Sequence, residues 1–331
     1  MENKGGAITK IVGKVKGFKE MTVLLIVILL CIIISIIEPV FLSIDNIKTT
    51  AIGLASDGII AIGMTVALIS GGFDLSVGSI MGLSAVFTAS FTSMGIGIWP
   101  AAAIALVLCL FIGALNGTLI GKVGLNPFIT TLGMMTIARG AVYVLTEGRA
   151  LSIGGNAETF RFLGNGAIIG IPVIIIIFVL LTIVGDFIVK KSSPAMKVFY
   201  VGSNEKAAVL SGINTGKVKL VVYIVTALVG SLAGLLSLAR FGVATANMGA
   251  GSEMRVISAA VIGGASLSGG EGSVLGTVLG VIMLNIINNA LVLFNVSVHW
   301  QNLIAGTILI IAVTIDVLSH KRKNKSLTRQ V

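Results

Sequence analysis

Few residues in this sequence are equipped for chemistry, and most of those are neutral. Asn285, Asn288 and Asn289 fall at i, i+3 and i+4, so a helix would carry all three amides on one face. Such a face can line a polar path or tie helices together by hydrogen bonds. Asn126 and Thr130, with Thr131 beside them, are a second, weaker polar set at the head of another apolar run. Charges inside apolar runs are costly and stand out: Asp57, Asp74, Arg139 and Arg240. Asp57 and Arg139 suit a structural pairing or a cavity-facing position. Asp74 follows Gly71-Gly72, a helix break, and is placed to cap the next helix. Arg240 suits a helix end, from which it can snorkel.

Catalytic groups are missing. Cys31 and Cys109 lie in apolar runs and read as buried thiols, and His299 and His320 share no metal-ligand spacing with them. No nucleophile–base pair is evident. Two segments imitate a phosphate loop, one from Gly117 to Lys122 and one from Gly212 to Lys217. Each is one residue short between its glycines and is followed by Val rather than Ser or Thr. The chain therefore reads as a non-enzymatic protein without its own nucleotide, cofactor or metal site.

The elements that position these residues are set by composition. The chain has 331 residues, 56% hydrophobic and 11% charged, against roughly a quarter charged in soluble domains. That apolar surface needs lipid as its solvent. The apolar runs are continuous, which argues for helices over an alternating barrel. The expected spans are 21–37, 47–70, 75–94, 99–120, 126–146, 168–189, 218–240, 254–267, 272–294 and 300–319. The fold class is thus an all-α polytopic membrane protein of about ten helices. The run 21–37 ends in Glu38-Pro39 with no small-residue cleavage site, so it reads as a retained helix.

The net charge of +10 sits in the flanks, which points to membrane orientation and away from nucleic acid. Basic residues crowd the N-tail 1–20, the segment 190–219 and the C-tail 320–331, and all three are expected on the cytoplasmic side. Six spans separate the first two and four separate the last two; both numbers are even, so the short eighth span counts as a crossing. The membrane domain is then 21–319, with a cytoplasmic loop at 190–217. The loop 147–167 faces outward, its charges balanced (Glu147 and Glu158 against Arg149 and Arg161), and is a candidate docking surface. Gly113, Gly117 and Gly121, Gly272, Gly276 and Gly280, and the pair Gly230 and Gly234 form small-residue stripes suited to close helix packing or to a dimer interface.

Three segments carry more information. Residues 200–214 read as a short helix in the basic loop, with Ser203 as its cap, Gly212 as its end, and Ala207 and Ala208 leaving one face small. Such a helix suits insertion into a groove of another protein. The segment Gly71-Gly72-Phe73-Asp74-Leu75-Ser76-Val77-Gly78-Ser79 resembles a later one, Ser268-Gly269-Gly270-Glu271-Gly272-Ser273, and the pair suggests an internal duplication. The later segment is preceded by a further double glycine, Gly263-Gly264.

These three segments, in this order, resemble the permeases of ribose-type and branched-chain amino-acid-type ATP-binding-cassette importers, closest to the ribose and simple-sugar branch. The resemblance runs from about residue 40 to the end. It implies a dimerising permease, of two identical or two sister chains, above two cytoplasmic ATPase subunits that bind ATP and magnesium. It also implies a sugar-binding protein outside and a ribose-like monosaccharide as substrate. Gly202, Asn204, Glu205, Ala207, Ala208 and Gly212 would couple to the ATPase. Gly71, Gly72, Asp74, Gly263, Gly264, Gly269 and Gly270 would mark helix breaks or gates. Asn285, Asn288, Asn289, Asn126 and Thr130 would line the sugar path. The run from Glu253 to Ala259 departs from the family pattern, carrying Arg255 in place of an aspartate-containing stretch. Permeases for the furanose signal autoinducer-2 also have Glu-Met-basic there, so that substrate class stays open. The alternative is an ion-coupled transporter using Asp57 or Asp74 as its ion site.

Overall fold

The structure is a computed structural model and describes residues 19–154, 157–297 and, from 299 to 314, all but 302, 305, 309 and 312. It is helical nearly throughout. The helices are α1 (Lys19–Ile37), α2 (Ile44–Ile69), α3 (Val77–Ser93), α4 (Ile98–Thr118), α5 (Pro127–Thr146), α6 (Glu158–Asn165), α7 (Val173–Lys191), α8 (Ser193–Ser203), α9 (Glu205–Leu210), α10 (Thr215–Phe241), α11 (Ser252–Ile262) and α12 (Val274–Leu293). A π-helical turn, Leu119–Val123, extends α4. The described residues from 299 to 314 are also helical. Most of the N-tail 1–20 and all of the C-tail 320–331 fall outside the described residues.

Among the described residues, seven helices are long and apolar enough to cross a bilayer: α1, α2, α4 with its extension, α5, α7, α10 and α12. α3 is apolar but has 17 residues. The eighth expected span is much shorter than 254–267. α11 has 11 residues, about 16 Å at 1.5 Å per residue, roughly half a hydrocarbon core. It stops because Gly264 turns left-handed (φ 95°) and the chain runs on without helix to Ser273. The sixth span starts at Val173, not 168. The residues before it form a hairpin, β2 (Ala167–Ile168) against β3 (Ile171–Pro172). Ile169 and Gly170 take φ 52° and 78° at its tip, as two-residue hairpin turns require.

α10 is the hub, packed on α2, α3 and α4. The glycine stripes explain how. A Cβ on Gly117 would stand 2.7 Å from Leu220 Cα, and one on Gly121 2.6 Å from the Gly216 carbonyl. Gly234 meets the Met81 carbonyl, and Gly276 and Gly280 meet the carbonyls of Gly263 and Ala259. All three stripes therefore serve helix packing within this chain. Small hydroxyls add cross-helix bonds: Thr65 to Thr277 at 2.8 Å and Ser84 to Ser231 at 2.8 Å. Gly234→Val should therefore lower stability by about 1–3 kcal/mol through overpacking. Gly133→Val on α5, where nothing lies within 4 Å, should leave it unchanged. Melting temperatures in detergent test the contrast.

Residues of the 147–167 segment pack on the C-terminal end of α10. β1 (Leu151–Ser152) pairs antiparallel with β4 (Val243–Ala244). Asn165 donates to the Arg240 carbonyl at 2.8 Å, and Trp99 meets the Phe160 ring edge-on at 5.7 Å.

Candidate functional site

The three distant segments meet at one end of the bundle. Gly270 N–H donates to the Ile69 carbonyl at 2.9 Å, tying the later glycine segment to the end of α2. Gly202, in the last turn of α8, lies between them. A Cβ there would overlap the Ile69 carbonyl and stand 2.8 Å from Gly270 N. Gly269 lies against Gly71: a Cβ on it would fall 2.8 Å from Gly71 Cα. Both glycines have φ 83°, so the first glycine of each Ser-Gly-Gly turn is left-handed; at the second, Gly270 is left-handed too (φ 75°) and Gly72 is not. A cavity of about 290 Å³ opens beside this junction, lined by Ser70, Gly72, Asn204, Glu205, Lys219 and Tyr223 among others.

The short helix predicted in the basic segment is α9, but its cap differs. Ser203 closes α8 instead. Asn204 caps α9, its side-chain oxygen accepting from Ala207 N–H at 3.0 Å, because its extended backbone (φ −161°) turns the amide toward the free helix end. The two alanines do not share a face. Ala208 is buried and Ala207 exposed, since consecutive helical residues point about 100° apart. The exposed apolar surface of α9 is Ala207, Val209 and Leu210, the last 89% exposed. Gly212 turns left-handed (φ 77°) just beyond, and Glu205 pairs with Lys219 of α10 at 2.6 Å.

Asp74 is fully buried beside this junction. Its carboxylate accepts from Ser76 N–H (2.9 Å), Ser76 Oγ (2.5 Å) and Thr226 Oγ1 (2.6 Å), and Asn116 in turn donates to Ser76 Oγ (3.1 Å). The expected capping role takes this form: Asp74 holds Ser76, the residue at which α3 begins.

A second polar region lies near the other end. Asp57 of α2 pairs with Arg255 of α11 through two bonds, Nε to Oδ2 at 2.7 Å and Nη2 to Oδ1 at 3.2 Å; Arg255 also donates to Ser252 Oγ at 2.7 Å. The pair borders a cavity of about 450 Å³ with Ser56, Ser237, Arg240 and Thr245. On its other side it borders a small pocket with Asn285 and Asn288. Asp57 and Arg139 are not partners. Arg139 donates to the carbonyls of Ala246 and Met248, both at 2.9 Å. Arg240 sits in the last turn of α10 over the Phe241 ring, at a helix end as expected.

The expected path residues separate into three groups. Asn285 and Asn288 face the Asp57–Arg255 pair. Asn289 exchanges two amide bonds with Asn46, at 3.0 and 2.8 Å, and ties α12 to α2. Asn126 caps α5 through Phe128 N–H (2.8 Å), and Thr130 donates to the Asn126 carbonyl (2.9 Å). Pro127 beside them lines the cavity at the glycine junction. Asp57 and Gly71 are 14 residues apart, about 20 Å along α2, so this set is remote from the α12 amides. The Asp57–Arg255 contact was the main feature missed, although an arginine inside an apolar run should have prompted a search for its anion.

Comparison with known proteins agrees with this architecture. Residues 46–313 match the family model described as branched-chain amino acid transport system / permease component. The chain belongs to this permease family. Two family relatives are ribose import permease proteins. The one from Haemophilus influenzae is 36% identical over 87% of this chain and 90% of its own length; that from Bacillus subtilis is 37% identical over 87% and 89%. The L-arabinose transport system permease protein of Escherichia coli is 33% identical over 87% and 88%. No solved structure matches the chain. The family match, these relatives and the apolar helices make this a multi-pass membrane permease of the ribose and simple-sugar type.

Proposed function

We propose that the chain is the channel-forming subunit of an ATP-driven importer that moves a ribose-like monosaccharide inward across the bacterial cytoplasmic membrane. It spans the membrane about ten times with both termini cytoplasmic. A second permease copy, two ATPase subunits below and a sugar-binding protein outside complete the assembly. Binding-protein docking on 147–167 and ATPase closure on α9 alternately favour outward- and inward-open states. The observation that carries this reading is the placement of α9. It presents Leu210, Val209 and Ala207 to solvent, while the residue three before it, Gly202, is wedged into the junction of the two glycine turns. A push on α9 is thereby delivered to the ends of α2 and α12. The ribose and arabinose relatives support the substrate class. A furanose of the autoinducer-2 kind is the substrate alternative, and uptake across a sugar panel separates the two.

The ion-coupled alternative needs a carboxylate free to take up an ion. Asp74 is already held by three donors and Asp57 by Arg255, which favours the ATP-driven reading. Leu210→Asp is the direct test. The residue is 89% exposed, so the fold should be unaffected. An interface hot spot is worth about 2 kcal/mol or more, so ATPase-coupled uptake should fall about thirtyfold. Unchanged uptake in proteoliposomes containing all subunits would remove α9 from the coupling path. Robust uptake driven by an ion gradient, without ATPase subunits, would sink the importer assignment.

A further inference from the structure

A second apolar feature adjoins the proposed coupling path, with Ile69 of α2 common to both. An elongated slot of about 260 Å³ opens between the ends of α2, α7, α8 and α10. Val66, Ile69, Val189, Val198 and Val222 form its walls. Ile188 and Val221 at its margin are 50% and 55% exposed, so it opens sideways onto the face that the bilayer covers. Its level is set by the chain: α7 ends in Lys190-Lys191, the capped turn at Ser192 follows, and α8 runs on with Met196 and Tyr200 exposed. Lysine and tyrosine at a helix end mark the boundary between hydrocarbon and headgroups.

Two exposed cations, Lys197 and Lys217, line the same slot. Their neighbours Lys190 and Lys219 are neutralised by Asp186 (3.0 Å) and Glu205 (2.6 Å). Among the described residues, Lys197 and Lys217 form no ion pair. An apolar slot open to the bilayer, with two free ammonium groups at the headgroup level, has the chemistry of a phospholipid with a net negative headgroup. Apart from Ser192 and the two lysines the lining is apolar, which suits an acyl chain better than a monosaccharide.

We propose that this slot binds one anionic phospholipid, an acyl chain lying between α2, α7 and α10 and the phosphate held by Lys197 and Lys217. The test uses the purified full chain in nanodiscs of phosphatidylcholine containing a minor share of phosphatidylglycerol. Native mass spectrometry reads the lipid retained. Phosphatidylglycerol should be retained selectively, and Lys197→Gln with Lys217→Gln should weaken that retention roughly 25-fold, about fivefold for each lysine. Lys197→Arg with Lys217→Arg should preserve it. Val221→Trp, which fills the mouth, should reduce it with both lysines intact. Equal retention of the two lipids by the unaltered chain overturns the proposal, as does undiminished retention by the glutamine variant. In the assembled transporter, cross-linking of a photoreactive group at residue 221 to protein instead of lipid would also overturn it, marking the slot as the seat of another chain.

Discussion

Gly202→Val is expected to cut transport at least tenfold and to lower the melting temperature of the chain, while Gly212→Ala, ten residues on, costs only about 1–2 kcal/mol. The two glycines belong to one motif but are required for different reasons. Gly212 has φ 77° with nothing within 4 Å of its absent side chain, so a substitution there strains only the backbone. Gly202 needs no unusual backbone angle. Its constraint is contact with main chain on both sides, the Ile69 carbonyl and, 2.8 Å from where a Cβ would stand, Gly270 N. Main chain cannot rotate away as a side chain can. A branched residue must therefore separate α8 from α2 and strain the 2.9 Å bond between Gly270 and Ile69. Overpacking costs about 1–3 kcal/mol and loss of a buried backbone bond about 1–3 kcal/mol more. Uptake should fall at least tenfold, and ATPase stimulation by the binding protein should fall with it. Normal stimulation in a stably inserted Gly202→Val protein would show that the junction transmits nothing.

Much of this fold was legible in the residues. Continuous apolar runs marked the long helices to within a few positions, because a lipid-facing helix has little else to be. The runs 126–146 and 272–294 correspond to α5 and α12 within two residues at either end. Glycine and hydroxyl positions were harder. Gly71, Gly202 and Gly269 are far apart in the chain, and nothing local says that three backbones will stack on one another. Ser203 and Asn204 are both good caps, and the choice between them depends on where α8 ends, which is set by Gly202 packing on α2. Asn285, Asn288 and Asn289 share a helix face by spacing alone, but the face is wide enough for Asn289 to reach Asn46 while the other two turn to Arg255. Periodicity identifies a face; only the neighbouring helices determine what each part of it meets.

The Asp57–Arg255 pair supports the second large prediction, in which the single and double substitutions should differ in direction. Asp57→Ala removes the anion and leaves the guanidinium beside the Ser252 hydroxyl in a protein-lined cavity. Breaking a buried pair costs about 3–5 kcal/mol, but Arg255 is 40% exposed, so about 2 kcal/mol is the expected loss. Asp57→Ala with Arg255→Ala removes the stranded charge and should recover most of the melting temperature, because a pair replaced by apolar residues often costs nothing. Uptake should not recover with it. The pair borders the 450 Å³ cavity on one side and the Asn285 and Asn288 amides on the other, and two bonds hold α11 to α2 while the short helix also packs closely on α12. Exchanging the charges, Asp57→Arg with Arg255→Asp, should restore stability beyond the single variants if the pairing itself is what matters. The coupling energy of this cycle, read from melting in detergent and from uptake in proteoliposomes with all subunits, separates the two roles. If uptake follows stability in every variant, the pair only holds the helices together. If the double-alanine protein is stable and inactive, the pair acts on the path of the solute, and the arginine that departs from the family pattern is a determinant of what the permease carries.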